Sequence, residues 1–265
     1  RVPKYVGMRY LADPEEGLDG MAINNAIEAV FAAHARGEVQ MPPKVYVNLP
    51  FGDFRTMPGY VPDLEAAGVK IVSVHPDNRA MGIPTVMALT ILLDVRTGAP
   101  EAILNATRLT DLRTGAAGAI ACRHLAPRKR IALGIIGCGQ QAEAQIRAIA
   151  FEREIEEVRI WGPTPSRAER LAALFRTLNA RCVPIERACD ADVLVTATPS
   201  RKPLVMDAWV REGTHVNAIG ADAPGKQELD PRLLKRARVF VDDREQAVHS
   251  GEVNVPIREG FFRPE

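Results

Sequence analysis

The sequence predicts an α/β fold, with a doubly wound parallel sheet in the second half and a mixed α+β domain before it. Three observations predict this. Residues 131–136 are a continuous apolar run, as expected of a strand buried on both faces. From Arg130 onward, strand-like and helix-like stretches alternate, which is the pattern of a parallel sheet with crossover helices. The chain has 265 residues, too many for one small domain and comfortable for two.

The elements follow in order. Residues 23–35 carry apolar side chains at Ile23, Ile27, Val30 and Phe31, the spacing of a helix with one packed face, and Gly37 can end it. Met41-Pro42-Pro43 breaks the chain before a strand over 45–49, and 50–53 reads as a turn. Further strands are expected over 67–74, 85–94 and 101–104, the last two joined by a turn at 96–100. The Ala- and Leu-rich stretch 109–125 reads as a helix that crosses to the next domain. Strands over 131–136, 158–161, 193–197, 214–219 and 239–241 then alternate with helices, among them 140–151 and 166–178.

Composition excludes several classes of function. Net charge is +1, with no basic run and few aromatic residues, so neither a nucleic-acid partner nor a polybasic membrane patch is expected. Apolar runs are strand-sized and far short of a membrane span. The start, Arg1-Val2-Pro3-Lys4, has no signal-peptide pattern. Cys122, Cys138, Cys182 and Cys189 lack metal-ligand or CxxC spacing, so they read as reduced thiols of a cytoplasmic protein with no metal.

Gly137-Cys138-Gly139-Gln140-Gln141-Ala142 fits G-x-G-x-x-G/A, after a buried strand and at the start of a helix. That context is the Rossmann dinucleotide fingerprint. Gly137 permits the tight turn, Gly139 leaves room for a pyrophosphate, and Ala142 lets the helix pack on the strand. The helix N-terminus then offers free N–H groups to the phosphates. The second strand ordinarily ends in an acid for the ribose 2′-OH. Here it runs into Trp161-Gly162-Pro163-Thr164-Pro165-Ser166-Arg167, with no Asp or Glu. Thr164, Ser166 and Arg167 suit a 2′-phosphate, unless Arg167 is only a solvated first-turn residue. The expected cofactor is NAD or NADP, and the missing acid favours NADP.

Several ordered stretches carry a resemblance. They are Met41-Pro42-Pro43-Lys44, Phe54-Arg55-Thr56-Met57-Pro58, Lys70 through Asn78 and Thr107 through Ala116, then the fingerprint and Gly220-Ala221-Asp222-Ala223-Pro224-Gly225-Lys226-Gln227-Glu228-Leu229. Together they resemble the ornithine cyclodeaminase/mu-crystallin family, which includes archaeal-type alanine dehydrogenases. The resemblance implies that Lys44, Lys70 and Arg113 are substrate-side cations and that Asp222 and Lys70 are catalytic. It implies cofactor contacts at Thr85, Arg113, Gln140 and Gln141, and Thr198 is counted with them. His75, beside the Lys70 motif, reads as structural. Family cyclodeaminases carry an acid near Arg55, suited to a second amine; a cation here argues against a dibasic substrate and puts Arg55 among the substrate contacts.

The resemblance also implies the domain plan. Residues 1–113 are expected to be a substrate-binding and dimerisation domain, joined by a return segment at 245–265, and 114–244 the Rossmann domain. In the family the chain continues beyond the position of Glu265 with a segment that contributes to the pocket. A homodimer is expected. Three functional readings follow: an NAD(P)-linked dehydrogenase of a small amino acid, running in reverse as an imine reductase; an ornithine cyclodeaminase; and a non-enzymatic NADPH-binding protein. Physical chemistry supports the first. A free amino acid needs cations for its carboxylate. Oxidising its C–N bond needs a base, which a lysine among other cations or a carboxylate can supply. Lys70 and Asp222 are expected to face the nicotinamide from the two domains.

Overall fold

The computed structural model describes residues 9–11, 18–261 and 263. The chain divides into two compact units, Arg1–Arg113 and Thr114–Glu265. Each is built on its own sheet.

The first unit contains β1 (Arg9–Leu11), α1 (Gly20–Ala35), β2 (Val45–Leu49), β3 (Gly52–Val61), β4 (Ala66–Val74), β5 (Val86–Leu93) and β6 (Pro100–Asn105). The strands form one sheet in the order β1-β6-β5-β4-β3-β2. β2 through β6 pair antiparallel in sequence order, while β1 pairs parallel with β6. Asp19 caps α1 by accepting from the Met21 N–H. β3 was not expected. Its sequence Gly-Asp-Phe-Arg-Thr-Met-Pro-Gly-Tyr-Val lacks an apolar alternation and contains a proline, yet it pairs with β4 from Asp53 to Val61.

Register gives this sheet two different faces. Paired residues of an antiparallel sheet share a face, and neighbours along a strand alternate. Tyr46 is opposite Arg55 and Arg55 opposite Val72; Met57 is opposite Lys70 and Lys70 opposite Thr90. These residues share one face. Val45, Val47, Phe54, Ile71, Met87 and Leu89 share the other. On that second face Val45, Val47, Met87 and Leu89 are exposed.

α2 (Thr107–Leu125) begins in the first unit and ends in the second. The second unit continues with β7 (Arg130–Ile136), α3 (Gln140–Ile149), β8 (Glu154–Trp161), α4 (Pro165–Leu174), β9 (Arg181–Cys182), α5 (Ile185–Cys189), β10 (Val193–Thr196), β11 (Arg201–Val205), β12 (His215–Ala218), β13 (Gln227–Leu229), α6 (Pro231–Arg236), α7 (Arg244–Ser250) and α8 (Asn254–Arg258). Its main sheet is parallel, in the order β12-β10-β7-β8-β9. Numbered within this unit, that is the doubly wound order 3-2-1-4-5 with its switch point between β7 and β10. β11 and β13 form a separate parallel pair.

The alternation of side chains along β7 builds two cores. Ile131, Leu133 and Ile135 pack with α3 and α4, while Ile136 packs with α5, Leu194, Val205 and Leu229. All four of these isoleucine and leucine side chains of β7 are fully buried, which is why the strand reads as an unbroken apolar run. Residues 239–241, expected as a strand, are unpaired, and Phe240 and Val241 are exposed; β-branched composition alone, without pairing, makes no strand. Residues 245–265, expected to return to the first unit, group with the second. Among the described residues no helix is long and apolar enough to cross a membrane.

Candidate active site

The cation cluster lies within the first unit. β2, β3 and β4 place Tyr46, Arg55 and Lys70 on one face, and continuing the β2–β3 register puts Lys44 opposite Met57. Lys44 and Arg55 both stand over the Tyr46 ring, at 5.5 and 5.1 Å from its centroid. An aromatic face flanked by two cations holds both side chains in place. Arg55 is buried and forms a two-pronged pair with Asp53, Nε to Oδ1 at 2.7 Å and Nη2 to Oδ2 at 3.3 Å. Lys70 is central. Burial, then the charges of Arg113, Lys44 and Arg55, push its pKa from 10.5 down to about 7. Each of these effects disfavours the charged ammonium. A lysine so placed carries a proton at low pH and gives up that proton near neutrality. The structure therefore brings Lys44, Arg55, Lys70 and Arg113 into one electrostatic group. Tyr46 and Asp53 belong to the same group and were not singled out from sequence. Thr85 is half-buried just before β5, where its carbonyl accepts from the His75 N–H at 2.8 Å.

The fingerprint lies in the second unit, at the carboxyl end of β7. Gly137 has φ of 125°. A Cβ there would stand 2.5 Å from the Ala197 carbonyl oxygen, so only glycine fits. Its N–H donates to the Trp161 carbonyl at 2.8 Å, tying the turn to the end of β8. Gly139 is the N-cap of α3 and offers no side-chain cap. Nothing lies within 4 Å of where its Cβ would be. The chain thus leaves open space beside Gly139 at the N-terminus of α3, as a pyrophosphate requires. Thr164 is the N-cap of α4, likewise without a side-chain cap bond, and Ser166 and Arg167 stand in its first turn. Thr198 follows β10 and is buried, its Oγ1 accepting from the Ser200 N–H at 3.2 Å. The residues present fit a dinucleotide.

Asp222 follows β12, in a loop that turns at Gly225 with φ of 78°. Its carboxylate is paired with Lys226 and is about half exposed. Asn254, at the start of α8, clamps the loop. Its Oδ1 accepts from the Gly225 N–H at 2.9 Å and its Nδ2 donates to the Lys226 carbonyl at 2.9 Å. Behind the loop lies Glu228, fully buried, and close to it Glu252. Burial pushes both carboxyls up, Glu252 to about 8. None of Lys226, Glu228, Glu252 and Asn254 was assigned a role from sequence. Their signal was faint, since Lys226 and Glu228 lie in a stretch read for Asp222 alone and Asn254 has no motif around it.

The model of the ornithine cyclodeaminase/mu-crystallin family matches residues 8–262. An alanine dehydrogenase of Archaeoglobus fulgidus is 49% identical over 240 residues, covering 90% of this chain and 74% of the relative. The solved structure of an archaeal alanine dehydrogenase dimer with bound NAD superposes with a TM-score of 0.93 at 46% identity, over 96% of this chain and 80% of that one. The Delta(1)-pyrroline-2-carboxylate reductase of Thermococcus litoralis, solved with NADH and L-proline, also gives 0.93, at 32% identity over 96% and 82% of the two chains. The chain belongs to the ornithine cyclodeaminase/mu-crystallin family.

Proposed function

We propose that this protein is an NAD(P)-dependent oxidoreductase acting on the C–N bond of a small amino acid, giving a 2-oxo acid and ammonia, or reducing an imine in the reverse direction. The observation that carries this reading is the cluster of Lys44, Arg55 and Lys70 on one face of the first sheet, where burial and the charges of Arg113, Lys44 and Arg55 lower the Lys70 pKa to about 7. Those cations suit one carboxylate, and the lysine supplies a base beside them. A dinucleotide bound there would supply the acceptor for a hydride from the substrate Cα. Lys70 takes the amine proton, and Asp222 carries protons to and from the water that hydrolyses the imine. Asp53, the carboxylate beside Arg55, is already paired with it, which disfavours a dibasic substrate. A scan of amino acids with NAD and NADP, following reduced nicotinamide, tests the reading. Turnover with alanine or a similar small amino acid is expected; no turnover with any amino acid would leave cofactor binding alone.

Gly137, Gly139, Gln140, Gln141 and Thr198 are the proposed cofactor contacts, with Thr85 and Arg113 from the first unit. The absence of an acid after β8 favours NADP, while the solved archaeal relative holds NAD. Arg167→Ala is expected to raise the NADP dissociation constant about tenfold with little change for NAD, the loss of one charge-assisted phosphate contact. An unchanged NADP/NAD ratio by fluorescence titration would remove Arg167 as the selector.

The protein is further proposed to be a cytoplasmic homodimer that pairs through the open apolar face of the first sheet. The dimeric state of the archaeal relative supports this, as do exposed Val45, Val47, Met87 and Leu89 on one face. The double variant Val47→Asp/Leu89→Asp should shift the mass seen by light scattering from two chains to one. A parent that is monomeric would contradict the proposal.

A further inference from the structure

Glu228 and Glu252, in the second unit, are buried carboxylates that the proposed reaction does not use. Glu228, in the middle of β13, is fully buried and reaches the ends of two other strands. Its Oε1 accepts from the Thr198 N–H at 2.7 Å, just past β10. Its Oε2 accepts from the Gly220 N–H at 2.8 Å, just past β12, and from the Thr196 hydroxyl at 2.8 Å. All three partners are neutral donors. A carboxylate taken out of water is costly unless its lone pairs are satisfied, and here two backbone N–H groups and a hydroxyl satisfy it.

The fit is mutual. A Cβ on Gly220 would stand 2.5 Å from Glu228 Oε2 and 2.2 Å from the Thr198 carbonyl oxygen, so the backbone reaches the carboxylate only because residue 220 is glycine. Glu228 is in turn held by Glu252, from the connection between α7 and α8. Glu252 Oε1 accepts from the Glu228 N–H at 2.9 Å and from the Leu229 N–H at 2.7 Å. The result is a chain of contacts. It runs from the C-terminal helices through Glu252 and Glu228 to Thr198 and Gly220, two residues before Asp222.

We propose that Glu228 is a positioning residue, whose carboxylate ties the ends of β10 and β12 into one edge and so sets the loop that carries Asp222, with Glu252 holding Glu228 in register. The mechanical part stands on these contacts alone; the catalytic consequence rests on the reaction proposed above.

Two variants test it. Glu228→Gln keeps the shape but turns one acceptor into a donor, which then meets a backbone N–H. Glu228→Asp keeps the charge but is one methylene too short to span both strand ends. Amide hydrogen exchange on the whole protein, without cofactor or substrate, reads the mechanical claim. Exchange in peptides covering 197–200 and 219–226 should quicken by about tenfold or more, the loss of one buried hydrogen bond to a charged group, while 131–136 stays as in the parent. With substrate and cofactor saturating, kcat should fall by about tenfold or more while the KM for the amino acid changes little, because its carboxylate is bound by the first unit. Unchanged exchange in both segments would overturn the proposal. So would a uniform increase across the second unit, or a failure of both variants to fold, since either makes Glu228 a general determinant of stability. If the parent turns over no amino acid, the proposed reaction fails, and the exchange result still decides the role of Glu228.

Discussion

Lys70→Ala is expected to lower kcat by about 10²–10⁴-fold, the usual loss when a positioned acid/base is removed. It should also raise the KM for the amino acid, because the same side chain is a cation beside Lys44 and Arg113. The pH dependence separates the two contributions. Lys70 accepts a proton only when neutral, and its pKa is lowered to about 7, first by burial and then by Arg113, Lys44 and Arg55. In the parent, kcat/KM should therefore climb as pH rises through about 7, and Lys70→Ala should lose that limb. The same shift predicts a stability effect. The unfolded lysine keeps its proton up to 10.5, whereas the folded one gives it up near 7. Between these values the unfolded state binds more protons, so parent stability should increase with pH across that window. In Lys70→Ala that increase should shrink. A near-parent kcat with an unmoved pH profile would remove Lys70 from the chemistry.

Asp222→Asn is expected to bind NAD(P)H as the parent does and to lose turnover by about 10²–10⁴-fold. Asn is isosteric, so the loop held by Asn254 and turned at Gly225 should persist. What disappears is the proton-carrying carboxylate and its ion pair with Lys226. The pair is partly solvent-exposed, so its loss should cost little stability. A parent-like kcat would assign the proton transfers to Lys70 alone. Parent-like kcat in both variants would remove both residues from the chemistry and contradict the proposed mechanism.

The Rossmann half was legible because its signals are local. The run over 131–136 is apolar since β7 is covered on both faces, and Gly137 is glycine because φ is positive and Ala197 is close. The first unit was harder. β3 has Arg55 buried against Asp53 and a proline at 58, so its pattern is neither alternating nor continuous, and its strand character comes from pairing with β4. Residues 239–241 mislead in the opposite sense, being β-prone yet unpaired. At the site, Lys70, Arg113 and Asp222 stood out through the motifs around them. Glu228 and Glu252 did not, because their partners are backbone groups far away in sequence, and a glutamate satisfied that way leaves no spacing to read.

The most direct test of the proposed reaction follows the hydrogen on the substrate α-carbon. Purified protein is supplied with L-alanine deuterated at Cα and with NAD or NADP, and the reduced nicotinamide is analysed by mass spectrometry and NMR. The account predicts that the deuterium appears in the reduced nicotinamide, with ammonia and a 2-oxo acid formed in equal amount. Deuterium lost to solvent, or no reduced cofactor with alanine or any other small amino acid tested in the same way, would contradict it.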